Sequence, residues 1–168
     1  GVFLNGYDVG GKDWYYAQNP DLQLTTWGGA SSDNSPHYGQ SFLFLTYYLD
    51  RFGEEATKAL TNNPENSISS VDHTLEQLGI TDPLTGQIVT ADDVFMDWAA
   101  ALFLKDKSVG DGRYTYNNYP AAPQTEVTES ITTCPQAATG HSVSQYGIDY
   151  IQIECAGDFT LHFSGSTA

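Results

Sequence analysis

The residues best placed for chemistry are His37 and Tyr38, within the run Asp33-Asn34-Ser35-Pro36-His37-Tyr38-Gly39. An imidazole and a phenol both donate hydrogen bonds, and an imidazole also exchanges protons near neutral pH. Pro36 sits where the first turn of a helix tolerates proline. Tyr38, Phe42, Leu45, Leu49 and Phe52 then recur at helical spacing, so a helix is expected from 37 to about 52. Leu43, Phe44, Tyr47 and Tyr48 fill the other side, which makes the helix apolar almost all round and places it in a core. Two readings of the pair stand side by side: a polar pair held rigidly for function, or side chains that only satisfy the helix start and pack.

No His-Glu-x-x-His, Gly-x-Ser-x-Gly, P-loop, Cys-x-x-Cys or Gly-x-Gly-x-x-Gly occurs in the 168 residues. An enzymatic reading therefore borrows residues from outside this chain. The chain starts at Gly1 rather than Met and reads as a piece of something longer, with Val2-Phe3-Leu4 as the end of a helix stopped by Asn5-Gly6.

The elements that would position the pair follow from the sequence pattern. From Tyr7 to Trp27, Gly10-Gly11 and Asn19-Pro20-Asp21 predict a long loop held down by aromatic side chains, and such loops often line clefts. Trp14, Tyr15, Tyr16 and Trp27 could stack on a sugar or a peptide. Beyond the first helix, Glu54 to Leu60 continues as a short helix after Gly53. Ser67 caps a segment with Ile68, Val71, Leu75 and Leu78 on one face, and Gly79 stops it. Thr90 with Asp93 forms a capping box for a helix over 94–104, whose alanines would admit a close neighbouring helix. His73 lies off the apolar face and reads as a solvated side chain. From about 106 the character changes: glycines and prolines punctuate a linker, and β-formers follow. Ile148 to Cys155 and Phe159 to Phe163 flank Ala156-Gly157-Asp158 like a hairpin. His162 falls on the polar side of its strand and His141 in a loop. The expected fold class is α+β: a mainly helical body over 1–106, then a linker and a small antiparallel β unit over 107–168.

Composition narrows the function classes. Six basic residues against twenty-one acidic ones give a net charge of −15, which repels phosphate backbones and anionic lipid. Nucleic acid and membrane insertion are thereby disfavoured, and the scattered acidic residues read as a solubilising surface on a monomer. Cys134 and Cys155 are the two cysteines. A bridge between them closes a loop of about 20 residues and is worth about 3 kcal/mol, and it is favoured over two buried thiols because few Lys and much Tyr, Asn, Thr and Ser suit a secreted or cell-surface protein.

The pattern His37-Tyr38-Gly39-x-Ser41-Phe42-Leu43-Phe44-x-x-Tyr47-x-x-x-Arg51-Phe52-Gly53, then Ile68 to Leu78, then Phe95-Met96-x-Trp98-x-x-Ala101-Leu102, resembles the helical C-terminal half of secreted zinc metallopeptidases of the gluzincin group, particularly the bacterial hyicolysin-like and immune-inhibitor-like kinds. Tyr146-Gly147-x-Asp149-Tyr150-Ile151 with Phe159 to Gly165 resembles the β segment that commonly follows such a unit. The resemblance implies peptide-bond hydrolysis by a longer parent acting on peptide or protein substrates. It places the zinc ligands before Gly1, leaves calcium open, and expects this chain alone to bind no zinc and to be inactive. It makes His37 an electrophilic donor to the oxyanion, Tyr38 a second donor or substrate-wall residue, and Asp33 the group that orients and charges the imidazole. The alternatives from other classes are a non-catalytic carbohydrate- or peptide-binding module and a structural spacer.

Overall fold

The computed structural model describes residues 9–135, 140–162, 164 and 165. The readings of Val2-Phe3-Leu4, of Asn5-Gly6 and of Phe163 lie outside them. In chain order the elements are α1 (Lys12–Ala17), α2 (Ser35–Asn62), α3 (Ser69–Gln77), α4 (Ala91–Leu104), β1 (Glu129–Ile131) and β2 (Ile151–Ile153). The protein is mostly helical, with one small two-stranded sheet among the described residues.

Helix α2 organises the rest. Gly53 interrupts it at φ 79° and ψ −179°, a conformation essentially reserved for glycine, so the expected break separates two helical stretches on either side of a kink. Its apolar surface divides more sharply than the sequence suggests. His37, Gln40, Leu43, Phe44, Tyr47 and Tyr48 turn inward, whereas Tyr38 is 56% exposed and Leu45 43% exposed. The expected all-round core helix therefore has one face toward solvent.

The other helices close over the inward face. Trp98 of α4 is fully buried, stacks on Tyr16 at 5.9 Å, and meets Phe44 edge-on at 5.3 Å. Its indole N–H donates to the Tyr116 hydroxyl at 2.7 Å, which satisfies a polar atom that burial would otherwise penalise. Thr90 and Asp93 form the expected capping box. The Tyr150 hydroxyl donates to the Ala99 carbonyl of α4 at 2.6 Å. In α3, Val71 and Leu75 are buried, and Gly79 at φ 62° lets Ile80 N–H reach the Leu75 carbonyl at 3.0 Å. Ser67 precedes this helix without a side-chain cap; its carbonyl accepts from the Ser70 N–H and hydroxyl. Tyr116, Ala122 and Ile148, from the stretch after 106, belong to the same core as the helices.

The β unit differs from expectation. β1 and β2 are parallel, with Glu129 opposite Ile151 and Ile131 opposite Ile153, so the antiparallel arrangement is corrected. The hairpin is corrected too: 159–162 carry no strand, and Phe159 and Leu161 are exposed. Two anchors explain the choice. Tyr150 stacks on Phe103 at 5.1 Å while Ile148 enters the core, which aligns 148–153 against α4 and beside 128–131. The disulfide Cys134–Cys155, with Cα atoms 5.9 Å apart, then joins the chain just beyond the C-terminal ends of both strands, and such a clasp suits strands that run the same way.

Candidate functional site

The loop before α2 is built to bring Trp27 over the helix start. Asn34 clips it: the Gly28 N–H donates to Asn34 Oδ1 at 3.1 Å and Asn34 Nδ2 donates to the Gly28 carbonyl at 3.2 Å. Trp27 consequently stacks on His37 at 5.4 Å with 23° between the planes, and meets Tyr38 edge-on at 4.7 Å. Three of the residues singled out in the sequence thus form one aromatic site. Trp27 is 40% exposed, so the site opens to solvent while the imidazole beneath it is only 9% exposed.

His37 Nδ1 is buried and has no hydrogen-bond partner among the described residues. Burial also lowers its pKa, which keeps the ring neutral at pH 7. A neutral imidazole carries one N–H donor and one acceptor nitrogen. Asp33 differs from its expected part. Its Oδ1 accepts the Ser35 N–H at 2.9 Å, and that bond holds its pKa below the usual carboxylate range, so Asp33 holds the turn that leads into α2 and is not bonded to His37 Nδ1. With no carboxylate on Nδ1 and burial dominant, the expected charged imidazole gives way to a neutral one.

The aromatic set from 14 to 27 separates. Tyr16 is in the core against Trp98 and is unavailable to a ligand. Trp14 and Tyr15 are more than half exposed and pair with each other edge-on at 5.5 Å. All three lie on α1, a short helix where the sequence predicts a loop, entered through Gly10 and Gly11 at φ 69° and 70°. Helix α1 reaches α2 at Gly39, where any Cβ would overlap the Lys12 carbonyl.

An apolar groove of about 300 Å³ lies between α2, α3 and the loop before α2, walled by Leu24, Phe44, Leu45, Leu60, Ile68 and Val71. Elsewhere, sequence reasoning missed an ion cluster. Arg113, 7% exposed at its side chain, pairs with Asp82 at 2.6 Å, Asp97 at 2.9 Å and, in bidentate fashion, Asp111 at 2.8 Å. Arg113 pulls the Asp111 pKa down to about 2, whereas burial outweighs the guanidinium at Asp97 and raises its pKa. Arg51 flanks the cluster at 3.7 Å from Asp97. The carboxylates are scattered over 82–111 and share no local motif, so only the fold assembles them.

His73 pairs with Glu65 at 3.1 Å and His141 with Glu129 at 2.8 Å, both partly exposed. Among the described residues no group of three or more His, Cys, Asp or Glu is placed to hold a metal ion. No helix is long and apolar enough to cross a membrane among the described residues. In comparisons with known proteins, no family model, curated protein or solved structure matches the chain.

Proposed function

We propose that this chain is the helical C-terminal part of an extracellular zinc metallopeptidase, in which His37 donates a hydrogen bond to the carbonyl oxygen of a bound peptide. The observation that carries the reading is the unpartnered nitrogen of a buried, neutral imidazole under a solvent-facing aromatic wall. An unsatisfied buried polar atom costs about 1–3 kcal/mol, and such atoms are kept where a ligand or a reacting group completes them. Trp27 stacks on the ring and restricts its plane, and a pre-positioned donor is the condition for stabilising charge that develops on an oxygen. Tyr38, exposed beside it, serves as the substrate wall or a second donor. Metal binding belongs, in this reading, to residues of the parent other than those described here.

The test is hydrolysis of casein by the encoded protein that contains this chain, with and without a strong zinc chelator. Cleavage that the chelator abolishes and added zinc restores supports the reading, and the 168-residue chain alone should be inactive. An intact protein with no peptidase activity contradicts it. A binding module is favoured by a separate observation, the exposed Trp14–Tyr15 pair, whose faces suit stacking on a sugar. Saturable binding of oligosaccharides lost in Trp14→Ala, by a protein inert toward peptides, would establish that reading instead.

A further inference from the structure

We propose that the polar concavity beside the Arg113 cluster binds a neutral sugar ring, with the Arg51 guanidinium gripping two neighbouring hydroxyl oxygens. The concavity measures about 150 Å³, and Asp50, Arg51, Asp111, Arg113, Thr115 and Asn117 line it. Arg51 stands fourteen residues beyond His37 on α2, about 21 Å along a helix axis. This site is therefore separate from the aromatic one, and it stands independently of the peptidase reading.

Some of its walls have their hydrogen bonds made and others do not. Asp50 accepts the Asn117 N–H at 2.7 Å, the Asn118 N–H at 3.1 Å and the Asn118 side-chain amide, which fastens 117–118 to α2. Arg113 engages Asp82, Asp97 and Asp111. Arg51 is different. The Asp97 and Asp111 oxygens that it pairs with stand at 3.7 and 3.9 Å, beyond hydrogen-bond reach, and its side chain is 16% exposed. Arg51 makes no hydrogen bond among the described residues, and neither do the Thr115 hydroxyl and the Asn117 side-chain amide. A guanidinium fork, a hydroxyl and a carboxamide thus share one concavity with their hydrogen bonds unmade.

Charge and size choose the ligand. The carboxylates of Asp50, Asp82, Asp97 and Asp111 outnumber the guanidinium groups of Arg51 and Arg113 in a chain of net charge −15, so a further anion is repelled. A cation would face Arg51 and Arg113, while the carboxylates beside it are already engaged. A neutral ligand with adjacent oxygens meets neither penalty. Sugar hydroxyls both donate and accept, so a vicinal pair accepts from the two-pronged fork of Arg51 and donates to Thr115, Asn117 or the remaining carboxylate lone pairs. The volume lies below the about 300–1,000 Å³ of drug-sized pockets, which suits one ring or the end of a glycan.

The test follows the Arg51 Nε–H and Asn117 side-chain amide resonances of the isotope-labelled 168-residue chain. The probes are the methyl glycosides of glucose, galactose, mannose and N-acetylglucosamine, with sodium acetate as the anion. At least one glycoside should shift both resonances saturably and acetate should not. Among the monodeoxy analogues of that sugar, those lacking a gripped hydroxyl should bind about tenfold or more weakly. Arg51→Lys keeps the charge and removes the fork, so it should weaken the sugar by a similar factor, with its amide spectrum reporting the fold, whereas Trp14→Ala should leave the affinity unchanged. If no glycoside shifts Arg51, or if acetate binds there more tightly than every glycoside, the assignment is wrong. Binding lost in Trp14→Ala and kept in Arg51→Lys would also overturn it, by placing the sugar on the aromatic pair. The comparison among probes on the unaltered chain decides the question even if Arg51→Lys does not fold.

Discussion

At the scale of single residues the central object is His37, and its environment makes a pH prediction with a definite sign. Burial lowers its pKa in the folded chain, whereas the unfolded ring titrates near about 6.5. Below that value the unfolded state takes up the proton first, so the contribution of the neutral ring is fully present above about pH 6.5 and is lost as pH falls through the lower, folded pKa. Between about pH 7.5 and 5, wild type should therefore lose more stability in urea unfolding than His37→Gln does; parallel pH profiles would contradict the burial argument. Arg113 supports a second prediction. Removing it as Arg113→Met leaves three carboxylates facing one another with only the more distant Arg51 beside two of them, and losing a partner costs about 3–5 kcal/mol for a buried pair against about 1 kcal/mol or less for an exposed one. Urea unfolding at neutral pH should show the larger loss, with only partial recovery in Arg113→Lys, because an ammonium cannot reproduce the bidentate grip on Asp111. A loss near 1 kcal/mol would mean that the cluster behaves as a surface feature. These two sites differ in how readable they are. The His37–Tyr38 pair declares itself through its position ahead of an apolar helix, and Trp27 through its type alone. Asp33 misleads, because an aspartate two residues before Ser35 satisfies a helix-start N–H as readily as it would orient a histidine two residues further on. Arg113 and its partners are invisible in the sequence, since their contacts join residues up to 31 positions apart.

At the scale of elements, the joints between helices carry the geometry of the site. Gly39 is where α1 touches α2, and a methyl group there would strike the Lys12 carbonyl, which is backbone and cannot rotate away. Gly39→Ala should cost at least about 1–3 kcal/mol through overpacking and lower the melting temperature, and it should also change the Trp14 fluorescence, as α1 shifts. A variant with unchanged stability would show that α1 docks loosely. The helices themselves are legible because local rules specify them: the Thr90–Asp93 box opens α4, Gly79 ends α3, and Gly53 kinks α2. The facing of α2 is not, because apolar residues on nearly every side leave the sequence indifferent to which stripe is covered. Packing decides it, by placing Trp98 and Tyr116 against Phe44, Tyr47 and the Leu43 carbonyl. The strands fail for a related reason: the stretch 159–162 alternates well, yet Ile148 and Tyr150 have already committed their strand to the helical core.

At the scale of the whole molecule, one bridge fastens the tail to itself. The Cys134–Cys155 disulfide closes a loop of 21 positions and should stabilise the protein by about 3 kcal/mol, chiefly by restricting the unfolded chain. Reduction should lower the melting temperature by about 6–12 °C, with helical circular dichroism retained below the transition, because the bridge lies outside the helical body. Free-thiol titration of denatured, unreduced protein should find none; two thiols in material prepared under oxidising conditions would contradict the bridge and the extracellular setting it suits. The net charge of −15 acts at this scale too, since it opposes association with other polyanions.

The claim that joins these scales is that His37 donates a hydrogen bond rather than filling space, and the turnover number of His37→Phe in the encoded full-length protein tests it most directly. Phenylalanine keeps a flat ring under Trp27 and removes both nitrogens. If the imidazole stabilises the oxyanion, kcat should fall about 100- to 1000-fold with KM and melting temperature little changed. If His37→Phe retains its turnover, the ring is a packing residue at the start of α2, and the catalytic account fails.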